Sequence, residues 1–356
     1  MNPLLQNFRN DFLDSMLTFL WRQWSTLGAP GYSDGDDPRI IDPEALLLFS
    51  LTVSRYDARL FDEIMDWLAR HGDYINIQHL KRMQAEEFFS AQQLLSAVAA
   101  VMAEQGKASK WGRLAAVAPV LEKPENLFYS QDGLPIAHFG ATDPVFAKYG
   151  FLRPPWRARD HTLAVQIMKH SGLLFRLRAL FGNNARADII LYLLTHKTGH
   201  PRRIARECYY FQKTVQDALV EMAASGIVRV QSRGKEKHYQ LAREDWFQLL
   251  QITEPAPIWL NWPLLFSALE KIWAKLSDQE FVNLDELLQS SELRQLMKII
   301  RPKIELSGLG LLLADDSIYL GKDYLKVFVQ DISDLIEKLV NAQSIVKKRY
   351  SIGFSE

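Results

Sequence analysis

The stretch that decides the fold runs from Ala185 to Leu241: "ARADIILYLLTHKTGHPRRIARECYYFQKTVQDALVEMAASGIVRVQSRGKEKHYQL". Its apolar period changes along its length. Ile189, Ile190, Leu193 and Leu194 recur at the three-to-four spacing of a helix with one buried face. Pro201 suits a helix start, and Ile204 falls on the inward side of the segment it opens. Val215, Leu219 and Met222 stand at i, i+4 and i+7 of a third helix, which Gly226 ends. "IVRV" and "KHYQL" are β-prone runs joined by the turn "QSRGKE". The predicted order is helix, helix, turn, helix, hairpin, preceded by a helical "LLFRLRALFG".

From about Arg186 to Leu241 this order resembles a winged helix-turn-helix domain of the arsenic-repressor-like and multiple-antibiotic-resistance types. The resemblance is carried by "IAREC", by "KTVQDAL" in the third helix, by "AASGIVRV" leading into the wing and by "RGKEKHYQL" as the wing. It covers about one sixth of the chain. One position departs from the pattern: Phe211 stands where such domains carry a small capping residue. The resemblance implies that the third helix enters the DNA major groove and that the wing tip reaches the flanking backbone. It then implies that Arg233, Lys235 and Lys237 neutralise phosphates at the tip, and that Arg202, Arg203 and Arg206 clamp backbone around the second helix. The apolar stripe of the third helix leaves Gln212, Lys213, Gln216 and Asp217 outward. Gln can bridge the major-groove edge of adenine, and an acid can accept from the amino group of cytosine. Thr214 and His238 complete the candidate DNA-binding set.

The whole chain sets looser bounds. Its 356 residues suffice for two or three domains and a sizeable core. Lys plus Arg and Asp plus Glu are both 42, so the total is silent about a polyanionic partner. Their distribution is not. Between Arg153 and Gln240 sixteen bases face six acids, whereas the segments up to Ser90 and beyond Leu241 are acidic. A basic centre suits nucleic acid and equally suits a solvated face. The single Cys208 excludes an intrachain disulfide and fits a reducing compartment. The runs "LLLFSLTV" and "LLSAVAAVMA" are too short to cross a bilayer, and Arg9, Asp11 and Asp14 interrupt the first apolar pattern, unlike a secretory signal. A cytoplasmic protein with no membrane partner is expected.

Residues 1–122 read as an amino-terminal helical bundle. Asp42 with Pro43 marks one helix start, Asp57 opens a helix that buries Phe61, Ile64 and Leu68, and a further helix runs from Ser90 to Gly106. Residues 123–160 are rich in Pro, Gly and aromatics and read as an ordered connector draped over a neighbouring domain. Residues 161–250 hold the winged helix, and 251–356 form a carboxy-terminal helical domain. There, "SGLGLLLADDSIYLGKDYL" runs parallel to "SGIVRVQSRGKEKHYQLAREDW", which suggests a second, degenerate winged helix with Asp315 and Asp316 at its tip. The last helix, from Asp323 to about Gln343, carries Tyr324, Phe328, Ile332, Ile336 and Leu339 as a stripe. That stripe suits dimerisation, and it suits closure of the intrachain core equally well.

Catalytic signatures are sparse. The sequence has no nucleophile elbow, phosphate-binding Gly-rich loop, HExxH or dinucleotide fingerprint. His196, His200 and Cys208 offer three metal-ligand types without a clear fourth, and Glu86–Glu87 and Asp36–Asp37 read as surface acids. These readings predict a mainly α, multi-domain regulator of transcription that binds double-stranded DNA as a homodimer. It is expected to be no enzyme, to use no metal or cofactor, and to answer to a small-molecule or protein effector. The alternative is a protein-interaction scaffold whose winged helix does not bind DNA.

Overall fold

Capping side chains set the first helix starts. The computed structural model describes residues 2–31, 37–116, 123–234, 236–315 and 318–341, with the side chain of Arg233 excepted. Asn2 caps α1 (Pro3–Thr26), Asp42 and Pro43 open α2 (Pro43–Val53), Asp57 opens α3 (Ala58–His71) and Asn76 opens α4 (Ile77–Glu87). The helix expected from Ser90 starts later. The Ser90 hydroxyl donates to Glu270 at 3.0 Å instead of capping, so α5 is Gln92–Met102. A wide turn with Gly106 at φ +87° then leads to α6 (Ala108–Ala115).

Residues 123–160 pack on this bundle. Strand β1 (Glu125–Asn126) pairs in parallel with β2 (Phe151–Leu152) across the short α7 (Pro144–Lys148). Phe128, Phe146, Tyr149 and Phe151 are buried, whereas Phe139 is exposed. The buried Arg153 guanidinium lies 5.1 to 5.5 Å from the rings of Phe61, Phe128 and Phe146 and meets Asp62 at 2.7 Å. Arg159 is held by Asp66 at 2.7 Å and Glu63 at 3.1 Å. Of the first bases of the sequence's basic zone, Arg153 is thus buried in an ion pair and Arg159, though exposed, is neutralised by two acids, whereas Arg157 is exposed without an ion pair among the described residues.

The centre follows as α8 (Leu173–Phe181), α9 (Ala185–Thr195), α10 (Pro201–Glu207) and α11 (Gln212–Ala224). The antiparallel pair β3 (Arg229–Arg233) and β4 (Glu236–Gln240) comes next, then α12 (Arg243–Leu249). The chain then forms α13 (Trp262–Ser277), α14 (Gln279–Val282), α15 (Glu286–Leu306) and α16 (Tyr324–Val340). The protein is mainly helical, with two small sheets among the described residues. No helix among them is long and apolar enough to cross a membrane.

Two buried clusters hold these elements. The larger joins α1–α5 to α13, α15 and α16: Phe12 stacks on Trp273 at 6.2 Å, Phe49 on Phe266 at 4.9 Å, and Phe8 meets Phe328 edge-on at 6.3 Å. The expected boundaries at residues 122 and 251 thus separate segments that share a single core. The smaller cluster belongs to α8–α12, with Ile40 inserted from the part of the chain held by the larger cluster, hereafter the frame.

Packing decides two readings left open for the carboxy-terminal part, and the α16 stripe takes the intrachain one. The α16 stripe does not face outward for a partner: Tyr324, Phe328, Ile332, Ile336 and Leu339 are buried in the chain's own core, with α16 packed on α1 and α15. No second hairpin forms among residues 307–315 and 318–320, and Asp316 lies outside the described residues. The strand-like composition loses because side chains take the backbone groups a ladder needs. Arg301 donates to Ala314 O at 2.6 Å, Lys338 donates to Gly310 O at 2.6 Å, and Ala314 N donates to the Asp331 carboxylate at 3.1 Å.

Candidate nucleic-acid interface

The inward stripe of α11 fixes what its other side displays. Val215, Leu219 and Met222 are buried against Ile189, Ile190, Leu193 and Ile204. The opposite face leaves Gln212, Lys213, Thr214 and Asp217 exposed and Gln216 half-buried. Arg202, Arg203 and Arg206 are exposed along α10. The β3–β4 pair joins them through Val228 and Tyr239, which are buried in the same core. Gly199 and Tyr239 exchange two backbone hydrogen bonds of 2.9 Å, so the α9–α10 loop lies along β4 as a third edge. A Cβ at residue 199 would stand 2.6 Å from Ile204 Cδ1, so any larger residue there would displace that buried side chain.

The cations are not equivalent. Arg203 meets Glu207 at 2.8 Å and Arg206 meets it at 3.4 Å, so one acid partly neutralises two of the three α10 arginines. Arg202, Lys213 and Lys237 are exposed and form no ion pair among the described residues. Asp217 is exposed in the same way and finds no ion pair there. His238 is half-buried, 3.5 Å from Glu236, with its ring 5.7 Å from that of His200. Arg233 takes the last rung of the hairpin opposite Glu236, beside Gly234 at φ +62°. Lys235 lies outside the described residues.

The missing cap at residue 211 has a structural sequel. Phe211 occupies the N-cap position without any side-chain hydrogen bond, and the residue is 72% exposed. The Arg82 guanidinium covers it at 4.2 Å, so the frame touches the start of the exposed helix. The turn before it is held more firmly. Tyr209 adopts φ +53°, a conformation that costs a bulky residue about 1 kcal/mol, and its hydroxyl donates to Glu87 at 2.6 Å. Glu87, read from the sequence as a surface acid, is buried and also pairs with Lys303.

Behind this turn lies a buried polar network that the sequence did not flag. Arg178 grips Glu44 through two hydrogen bonds of 2.7 and 2.9 Å and lies 3.4 Å from Asp188. Tyr210 donates to Asp188 at 3.0 Å and stacks on His79 at 4.8 Å. His79 donates from Nε2 to Cys208 O at 2.8 Å, while its Nδ1 stands 3.6 Å from Glu44, an ion-pair distance longer than a hydrogen bond. A cavity of about 30 Å³ remains beside Asp42, His79, Asp188 and Cys208, room for a water molecule.

Electrostatics in the network follow from the packing. Burial and the neighbouring Glu44 charge push the Asp42 carboxyl up to about 7. Burial opposes the Glu44 charge, but the Arg178 guanidinium outweighs it and holds the carboxyl below the usual range. Burial likewise opposes a charged His79, but Glu44 and the charges of Asp188 and Asp42 outweigh it and raise its pKa. The buried Cys208 thiol is pushed well up, which keeps it unreactive. His196, His200 and Cys208 do not converge on a metal site: His196 stacks on Tyr192 at 3.9 Å, and no three His, Cys, Asp or Glu among the described residues are placed to hold an ion.

No family model, curated protein or solved structure matches this chain. The members of the network escaped sequence reading because Glu44, His79, Arg178 and Asp188 lie on four different helices. The one local signal was the presence of charged residues inside otherwise apolar helices, as in "EALLLF" and "LLFRLRALF".

Proposed function

We propose that this chain is a cytoplasmic, DNA-binding regulator of transcription, with residues 185–241 acting as a winged helix-turn-helix. Helix α11 lies in the major groove, Arg202 and Lys213 meet phosphates, Gln212 and Gln216 address base edges, and the β3–β4 tip reaches the adjacent backbone. The reading is supported above all by the exposed polar face of α11, which carries Lys213 without an ion pair among the described residues while its reverse face is buried core. A rigid backing lets such a helix hold its register on a duplex. Two copies bound to paired half-sites would raise affinity and specificity, and the homodimer contact must lie away from the α16 stripe. The protein acts by binding and catalyses nothing.

The scaffold reading keeps one observation in its favour. Phe211, Val220, Ile227 and Val230 are each exposed along the α11–β3 segment, and such apolar exposure suits a protein partner better than phosphates. Fluorescence anisotropy with random and genomic duplexes separates the two readings. DNA binding predicts that log K falls linearly with log salt, with a slope of roughly −4 to −6 for the available cations. Absence of binding to every duplex at low salt would end the DNA reading in favour of the scaffold.

A further inference from the structure

A second concave site lies on the frame, away from the candidate DNA-binding face. It is a half-open cavity of about 340 Å³ between the end of α2, the start of α5, the β1–β2 pair and α13. That volume falls in the range of small-molecule sites and far exceeds the space of a trapped water. Leu51, Leu94, Phe151 and Trp273 line it with apolar surface.

Its polar lining includes Thr52, Ser90, Gln93 and Tyr129, and its charged groups are a single pair of opposite sign. Arg55 donates from Nη2 to Glu125 Oε1 at 2.7 Å and from Nε to Leu127 O at 2.9 Å. The guanidinium is further held 4.7 Å from the Tyr129 ring and 5.6 Å from the Phe151 ring. These contacts leave Nη1 of Arg55 and Oε2 of Glu125 without a hydrogen bond among the described residues. Both groups are therefore oriented before any ligand arrives, which lowers the entropy lost on binding. A ligand with only a negative charge would gain Arg55 and be repelled by Glu125, and one with only a positive charge would meet the reverse.

We propose that this cavity binds a free α-amino acid with an apolar side chain. The ligand carboxylate takes the open nitrogen of Arg55, its ammonium takes the open oxygen of Glu125, and its side chain lies on the apolar wall. The proposal does not depend on DNA binding. Calorimetry of the full chain tests it with L-leucine, L-phenylalanine and two single-charge relatives of leucine, 4-methylpentanoate and 3-methylbutylamine. Leucine or phenylalanine should bind, and each single-charge relative should bind about tenfold more weakly or worse, as expected for loss of a charge-assisted hydrogen bond. Glu125→Gln should weaken the amino acid by about tenfold, and Ala91→Trp, which fills the cavity, should abolish binding with the unfolding midpoint retained. No binding of either amino acid overturns the proposal. So does equal binding of a single-charge relative, or wild-type affinity in the cavity-filled variant.

Discussion

Lys213 and Gln216 stand three residues apart on α11 yet differ in what they can read. Lys213 is fully outward, a point charge suited to a phosphate, whereas Gln216 is half-buried and carries a paired donor and acceptor. Lys213→Ala should lower affinity equally for all duplexes and flatten the salt slope by about 0.9. Gln216→Ala should cost about 1 to 3 kcal/mol at particular base pairs and leave the slope unchanged, as measured on a panel of single-substitution duplexes. A second residue-level test lies in the buried network. A carboxyl held neutral by folding keeps its proton to higher pH in the native state than in the unfolded one. The stability Asp42 contributes is therefore lost as pH rises from about 4 to about 7. The raised His79 acts in the same direction, with its contribution complete below about 6.5 and lost above. Glu44 acts oppositely, with a contribution present above its ordinary range and lost in acid. Stability should therefore peak in mildly acidic solution. Asp42→Asn keeps the cap of α2 and should flatten the fall between about pH 4 and about pH 7 in urea titrations. An identical fall in both proteins would remove Asp42 as its cause.

Helices in this chain show how one pattern serves two ends. The stripe of α16 has the spacing of a dimerisation helix, and α1 and α15 fill it from within the chain. Phe328→Ala should cost about 3 to 5 kcal/mol in chemical unfolding because the edge-on contact with Phe8 leaves a cavity. Removing α16 altogether strips six or more buried side chains, at about 1.5 to 3 kcal/mol each, which rivals the whole stability of a domain. A chain cut near Gly321 should therefore lack a cooperative transition. A soluble, cooperatively folding product would show that the frame closes without α16. At α11 the helix was legible from Val215, Leu219 and Met222 alone, and so was its uncapped start at Phe211. The Arg82 contact over that ring was not legible, because it joins residues 129 positions apart.

Across the whole molecule, the frame and the α8–α12 unit are joined by charge as well as by apolar packing. Ile40 from the frame enters the smaller core, Phe175 and Tyr209 from the central unit enter the larger, and Arg178 bridges Glu44 of the frame to Asp188 of α9. Separating the two units would strand buried charges, at several kcal/mol for each pair broken. Urea unfolding followed by far-ultraviolet circular dichroism and by tryptophan fluorescence should give one coincident transition. Resolved midpoints would show that the two units unfold independently.

Local sequence was enough for the helical class, several helix starts and the order of elements from Ala185 to Leu241. These rest on local causes, namely a capping side chain, an apolar period or a turn residue within a few positions. How those elements share their surfaces depends on packing between distant parts of the chain. Packing merged the two ends of the chain into one core, buried Arg153 against Asp62, tied the exposed Arg159 to Asp66 and Glu63, buried Glu87 and left residues 307–315 without a strand. Each outcome depends on a partner far away in the chain. A charge reads as surface until the opposite charge that buries it is brought beside it, and periodicity shows which face is apolar without showing what will cover it.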